Sequence, residues 1–485
     1  MRKLNIKNVA LTVAIAVTAV GCGKFLDVNE SPNQPIVADV KLLLPSGQAA
    51  TAHVLSNQFG IIGGLWSQYW TQNPFSSQYR TTDQYNIQPS TTNNPWAILY
   101  AGALQDYKRV IENAGSLTQH AAIAYVMKAY TYQMITDAWG DVPLKDALNE
   151  GASMDVPYQS QKVVYDSIFM WLDRGLSMLN PSSPNRVGSE DLIFQGNIEQ
   201  WIRFANTLKL RAYLRISEVD EARAEAGVEA LADEPLLTSS AAIQYATSGG
   251  NENPLFSEIL GLGRTQNLVA SATFLDAMKA NNDPRLEQLY TKVTWDGVED
   301  TIVGGVQGDF RNTPDFDYSF PSAATGGLGA DNNSALAPVV LISEAESYFL
   351  QAEARARGWF TAGSAQTLFN NGITASFEAN EIGSEAAAYI ANAPDAEWPG
   401  TLEAQIEAII TQKYYAMNGL QTFEAWTEWR RTGFPDIFNL SVQQRLDGKF
   451  PVRLPYPETE ANTNGEFINV KHRPNSQRLW WDVAE

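Results

Sequence analysis

Few residues in this chain of 485 are spaced for bond-making chemistry. Its three histidines, His53, His120 and His472, lie far apart and form no HExxH or similar metal spacing. No G-x-S-x-G elbow occurs, and "GLGR" and "GGLGAD" match neither the dinucleotide-binding nor the P-loop glycine pattern. "WDGVED" and "ADNNS" carry calcium-type side chains but not the spacing of an EF-hand loop. In "TFEAWTEWRRTGFP", Glu424 and Glu428 are four apart and Arg431 is three further on. That is the spacing of an ion pair on a helix, solvated or partly buried, more than of an acid/base couple. Trp426 and Trp429, three apart there, read as core packing. Asp137 and Asp141 in "TDAWGDVP" fall where a helix end before Gly140 and Pro143 needs caps and turns. No catalytic residue, metal ligand or cofactor is assigned. Two placed carboxylates suffice for a glycosidase, so 54 acidic residues leave a surface hydrolase as the alternative reading.

Binding chemistry is better served. The chain has 13 Trp, 19 Tyr and 20 Phe, many of them among Asn, Gln, Ser, Thr and Gly. An aromatic ring in a polar loop offers a flat apolar face beside hydrogen-bonding neighbours, which suits the C–H face and hydroxyl edge of a sugar, or a peptide. "WSQYWTQNPF" puts Trp66, Tyr69 and Trp70 at helical spacing, which suits core packing, yet a long polar stretch follows directly. The candidate ligand residues are Trp66, Trp70, Asn73, Tyr79, Tyr85 and Trp96 around that stretch, and Trp295 in "TWDGVED".

The lone cysteine has a different role. In "AVTAVGCGKFLDVNESPNQP", Cys22 follows a basic start (Arg2, Lys3, Lys7) and an apolar run from Val9 to Val20. These are the parts of a secretory signal peptide, and the run is well short of the roughly 20 residues a spanning helix needs. Small residues ending in Gly-Cys fit a lipoprotein cleavage site, so Cys22 is the expected lipidation site and residues 1–21 the leader. A secreted chain with one cysteine has no internal disulfide, so packing alone must hold it. The formal charge of −20 becomes about −23 without Arg2, Lys3 and Lys7; such a surface repels nucleic acid.

The elements that must position these residues are mostly helices. Apolar residues recur at steps of three and four over 96–115, 120–139, 163–179 and 198–217, and again over 344–359, 363–380, 401–417 and 421–432. The first helix is expected to begin near Pro45 and Ser46. Residues 66–95 read as the end of a helix and a long loop. Residues 235–338 read as turns, short strands and exposed loops around one helix at 270–280, and 436–485 as a coil wrapped on the body. The fold class is all-α: tetratricopeptide-like helix pairs in a superhelix, with a loop-rich region packed on one side. The expected division is 1–21 leader and 22–485 a single domain, with 22–60 the tether and N-terminal segment, 94–217 and 343–432 the helix pairs, and 235–338 and 436–485 the loop-rich parts.

Seven stretches in order carry a family resemblance: "FLDVNESPNQP", "ITDAWGDVPL", "DLIFQGNIEQWIRFANTLKLRAYLRIS", "NNDPRL", "EAESYFLQAEARARGW", "QKYYAMNGLQTFEAWTEWRRTGFP" and "RLPYPETEAN". Together they resemble the SusD/RagB family of Bacteroidetes outer-membrane lipoproteins, in its SusD-like branch, over nearly the whole mature chain. The resemblance implies a surface lipoprotein that binds a nutrient, most often an oligosaccharide and in some members a peptide. It implies delivery to a SusC-like TonB-dependent barrel transporter, attachment to the outer membrane through the N-terminal lipid, and no enzymatic activity.

Overall fold

Helices form where apolar residues fall three and four apart, because each then has a face to bury. The computed structural model describes residues 38–149, 154–361, 363–469 and 473–484. The leader over 1–21, the lipidation site Cys22, residues 23–37 of the expected tether and N-terminal segment, and His472 lie outside the described residues. Long helices run over Val40–Ser56, Thr118–Trp139, Gln161–Met178, Ile198–Arg215, Glu344–Ala356, Ala365–Ala379, Leu402–Met417 and Thr422–Thr432. Asn93–Ala97, Ile98–Leu104 and Gln105–Asn113 follow one another without a break, the middle segment in the wider π form. Thr118–Trp139 packs on Gln161–Met178, and Glu344–Ala356 on Ala365–Ala379. The class is all-α with tetratricopeptide-like helix pairs. No helix among the described residues is long and apolar enough to cross a membrane.

Two departures from the sequence reading have local causes. The first helix starts at Val40, with Pro45 inside it. Proline removes one donor there, and burial of Val40, Leu43 and Leu44 outweighs that loss. The stretch after Trp66 is not a plain loop. Trp70–Gln72 pairs antiparallel with Leu268–Ala270, Trp70 opposite Ala270, and Arg80–Asp83 forms a helical turn.

Close backbone approach binds the N-terminal helices to the C-terminal ones. A Cβ on Gly63, in the Gln58–Trp66 helix, would stand 2.5 Å from Phe423 N. The C-terminal coil straps the body: Leu454 N–H donates to Ala138 O (2.8 Å), Trp139 Nε1 to Pro455 O (2.9 Å), and Trp481 Nε1 to Asp137 Oδ1 (2.9 Å).

The ion pair expected at Glu424, Glu428 and Arg431 is buried, not solvated. Arg431 grips Glu353 through both Nη atoms (2.8 and 2.7 Å) and Glu428 through Nη2 (2.8 Å). Arg215 bonds Glu424 and Glu428, and Lys413 Nζ stands 3.1 Å from Glu428. Burial opposes ionisation of Glu428, but Arg431, Lys413 and Arg215 hold its carboxyl well below the usual range. Every cation here has a carboxylate partner, so the cluster is a structural clamp between helices.

Candidate functional site

Within 235–338 the scaffold is paired backbone. Ala270 N–H donates to Ser319 O (2.8 Å), Gly305 N–H to Ala270 O (2.9 Å), and Ser319 N–H to Val303 O (2.8 Å). Val303 and Ser319 thus lie side by side, and residues 304–318 leave and return through that closure. Gly304 permits it, since a Cβ there would stand 2.8 Å from Ala272 N.

The inner side of this loop is bolted down by Asp83. Its Oδ1 accepts Gln307 Nε2 (2.6 Å), and its Oδ2 accepts the Thr71 hydroxyl (2.8 Å) and Gln72 N–H (3.0 Å). Gln307 Nε2 also reaches Leu65 O (3.0 Å) and Trp70 O (3.3 Å), while its Oε1 accepts from Ser271 (3.0 Å). Burial pushes the Asp83 carboxyl up to about 6, against the pull of these hydrogen bonds.

The outer side carries the aromatic residues. Val293–Trp295 and Val298–Thr301 form a hairpin. Asp296 (φ 49°) and Gly297 (φ 79°) make its turn with both residues left-handed, the conformation an Asp-Gly pair favours. Trp295, half-buried, stacks on Tyr318 (ring centroids 5.1 Å apart, 19° between planes) and leans on Phe316 (5.8 Å). Phe316 is exposed, as are Val298 and Val306 nearby in sequence. Asp296, Asp300, Asp315 and Asp317, on the same two segments, are exposed too. Burial, then Asp309, raises the Tyr318 pKa, so its hydroxyl keeps its proton. A flat apolar surface bordered by carboxylate acceptors and a phenol can stack a sugar ring and bond its hydroxyls. Among the described residues no three His, Cys, Asp or Glu side chains converge on a metal position.

Of the residues proposed from sequence, Trp295 alone belongs to this patch. Trp66, Trp70, Tyr85 and Trp96 are buried and offer no ring face to a ligand. Trp66 donates Nε1 to Thr82 O (3.0 Å) and meets Trp426 edge-on; Trp70 packs over Gly64; Tyr85 takes Ser441 N–H on its hydroxyl (3.1 Å); Trp96 packs on Tyr100 and Trp139. Asn73 is likewise buried, its amide spent on Gln266 O (2.8 Å) and Phe75 N–H (3.0 Å). Tyr79 is half-buried, with its hydroxyl 3.4 Å from Glu258 Oε1. Phe316 and Tyr318 were missed. Their signal is "DFDYSF", where aromatic and acidic residues alternate with the period of two that separates the faces of an extended chain.

Residues 32–457 match a SusD-like family model described as starch-binding, associating with outer membrane. A solved chitin-binding protein aligns with a TM-score of 0.76 at 25% identity, over 90% of this chain and 100% of its own. A SusD homologue from Bacteroides uniformis gives 0.76 at 25% identity, over 91% and 99%. A chitin-binding SusD homologue from Flavobacterium johnsoniae gives 0.75 at 24%, over 91% and 99%. No curated protein matches the sequence.

Proposed function

The chain belongs to the SusD/RagB family of outer-membrane nutrient-binding proteins of Bacteroidetes, and from that premise we propose that it captures an oligosaccharide on the Trp295–Phe316–Tyr318 patch and hands it to a SusC-like TonB-dependent barrel transporter. The stacked, half-buried pair of Trp295 and Tyr318, with the exposed Phe316 beside it, carries the reading. One pyranose ring lies on the exposed aromatic surface, and the exposed aspartates take its hydroxyl protons. Chitin and starch oligomers are the first probes, because two similar structures are chitin-binding and the family model is described as starch-binding. In this reading residues 1–21 are the leader, Cys22 carries the lipid, 22–485 is one domain, and the body faces outward from the outer membrane. The role is capture without turnover. Support comes from a patch built of rings and hydrogen-bonding groups.

Calorimetry with residues 23–485 and its Trp295→Ala variant tests this, using chitohexaose and maltohexaose. A sugar face covering about 70 Å² of indole at about 25 cal/mol per Å² contributes about 1.8 kcal/mol, a factor of about 20 in Kd. Equal affinity of the two proteins for every bound glycan would remove the patch from the site. New reducing ends released on incubation would replace the binder with a hydrolase.

A further inference from the structure

We propose that a cavity beside the Thr422–Thr432 helix binds an acidic saccharide, with the ring against Trp429 and the acidic group on Lys449 and Arg478. The cavity has a volume of about 570 Å³, inside the range of about 300–1,000 Å³ common for small-ligand sites. Trp429 reads from sequence as a core residue like Trp426. Trp426 is indeed fully buried, its Nε1 bonded to Pro451 O (3.1 Å). Trp429 differs: it is half-buried, it lines the cavity, and among the described residues its indole N–H has no hydrogen-bond partner. Phe438 stacks on it (5.1 Å, 26°) and Phe450 meets it edge-on (5.1 Å, 70°). The indole is thus held in place as a platform.

The rim supplies charge. Lys449 and Asp436 are exposed, and neither has an ion-pair partner among the described residues. Arg478, 45% exposed at its side chain, gives Nη1 to Asp482 and leaves its other N–H groups to the cavity. Arg430 contributes positive charge from the wall, although its own donors are spent on Asp137 O, Val452 O and Thr427. Three cations thus face Asp436 and the Arg478-paired Asp482, in a chain whose formal net charge is −20. The Trp295 patch has the opposite balance, with exposed aspartates beside its rings. A saccharide bearing a carboxylate or sulfate is repelled there and attracted here. Asp436 is left to accept a hydroxyl.

The test is calorimetry on residues 23–485 with trigalacturonic acid, a chondroitin sulfate tetrasaccharide and neutral maltotriose. The variants are Lys449→Glu, Trp429→Leu and, for independence from the first patch, Trp295→Ala. Lys449 is exposed and makes no side-chain bond, so its reversal leaves the fold intact, which a thermal melt checks. At least one acidic probe should bind, weaken about tenfold or more in Lys449→Glu, weaken in Trp429→Leu, and be unchanged in Trp295→Ala. Failure of both acidic probes to bind at millimolar concentration overturns the inference. So does equal binding by Lys449→Glu, or loss of acidic-probe binding in Trp295→Ala. Loss of neutral-glycan binding in Trp295→Ala bears only on the first patch.

Discussion

Replacing Asp83 by asparagine probes the bolt that holds the aromatic loop to the helical body. Burial lifts the Asp83 carboxyl from its ordinary 3.8 to about 6 in the folded chain. A rise of about two units at about 1.4 kcal/mol each makes about 3 kcal/mol. Because the folded value is the higher one, this contribution to stability is fully present below pH 3.8 and is lost as the pH rises through about 6. The amide in the Asp83→Asn variant does not titrate, so that variant lacks the slope. It has its own cost. Gln307 cannot turn its amide over, since its Oε1 already serves Ser271 and its Nε2 already serves Leu65 O and Trp70 O. One donor therefore faces another, at about 1–3 kcal/mol. Asp83→Asn should thus be the less stable protein at pH 4 and equal or better at pH 7, with the difference moving by about 2.4 kcal/mol between them. Urea unfolding at half-unit pH steps measures this. Asp482, raised by burial to about 6 as well, is common to both proteins and cancels. A difference that stays flat within about 1 kcal/mol from pH 4 to 7 would refute the buried-charge account of the bolt.

The clamp, the helix contact and the anchor give further expectations. Arg431→Met strands Glu353 and Glu428 without their strongest partner, and should cost about 3–5 kcal/mol in urea unfolding; a loss below about 1 kcal/mol contradicts the clamp. Despite burial, Arg431 with its neighbouring cations lowers the carboxyls of Glu353 and Glu428. Their contribution is present above the ordinary value of 4.5 and lost as the pH falls through the lowered ones, so stability measured below pH 4 should drop less in a Glu428→Gln variant than in the parent. Gly63→Ala drives a methyl into the Phe423 backbone and should lower the unfolding free energy by about 1–3 kcal/mol; an unchanged melt would mean that the two helices are free to part. Cys22→Ala should release the protein from the membrane fraction, and unchanged fractionation argues against the lipid.

Much of the helical frame was readable because it is local. The apolar spacing of Trp201, Phe204, Ala205, Leu208 and Ala212 marks one face within a single helix, and all five are buried. Where local cues ran out, the errors were specific. Pro45 reads as a boundary, yet the apolar face before it extends the helix past it. Glu424, Glu428 and Arg431 show an intrahelical spacing, but their partners Glu353, Lys413 and Arg215 are on three other helices.

The sequence alone settles the class of the fold, the aromatic and acidic character of the chain, and the family signature in its ordered motifs. It does not settle which rings meet solvent. Trp70 and Trp295 both stand among polar residues, and Trp426 and Trp429 share one helix. Trp70 is hidden because its ring packs over Gly64, in a helix held against Phe423, and Trp429 is half-open because Phe438 and Phe450 of the coil cover only part of it. Exposure is a property of the whole packed surface. A residue's neighbours in the chain therefore decide its helix, while segments up to hundreds of residues away decide whether it can touch a ligand.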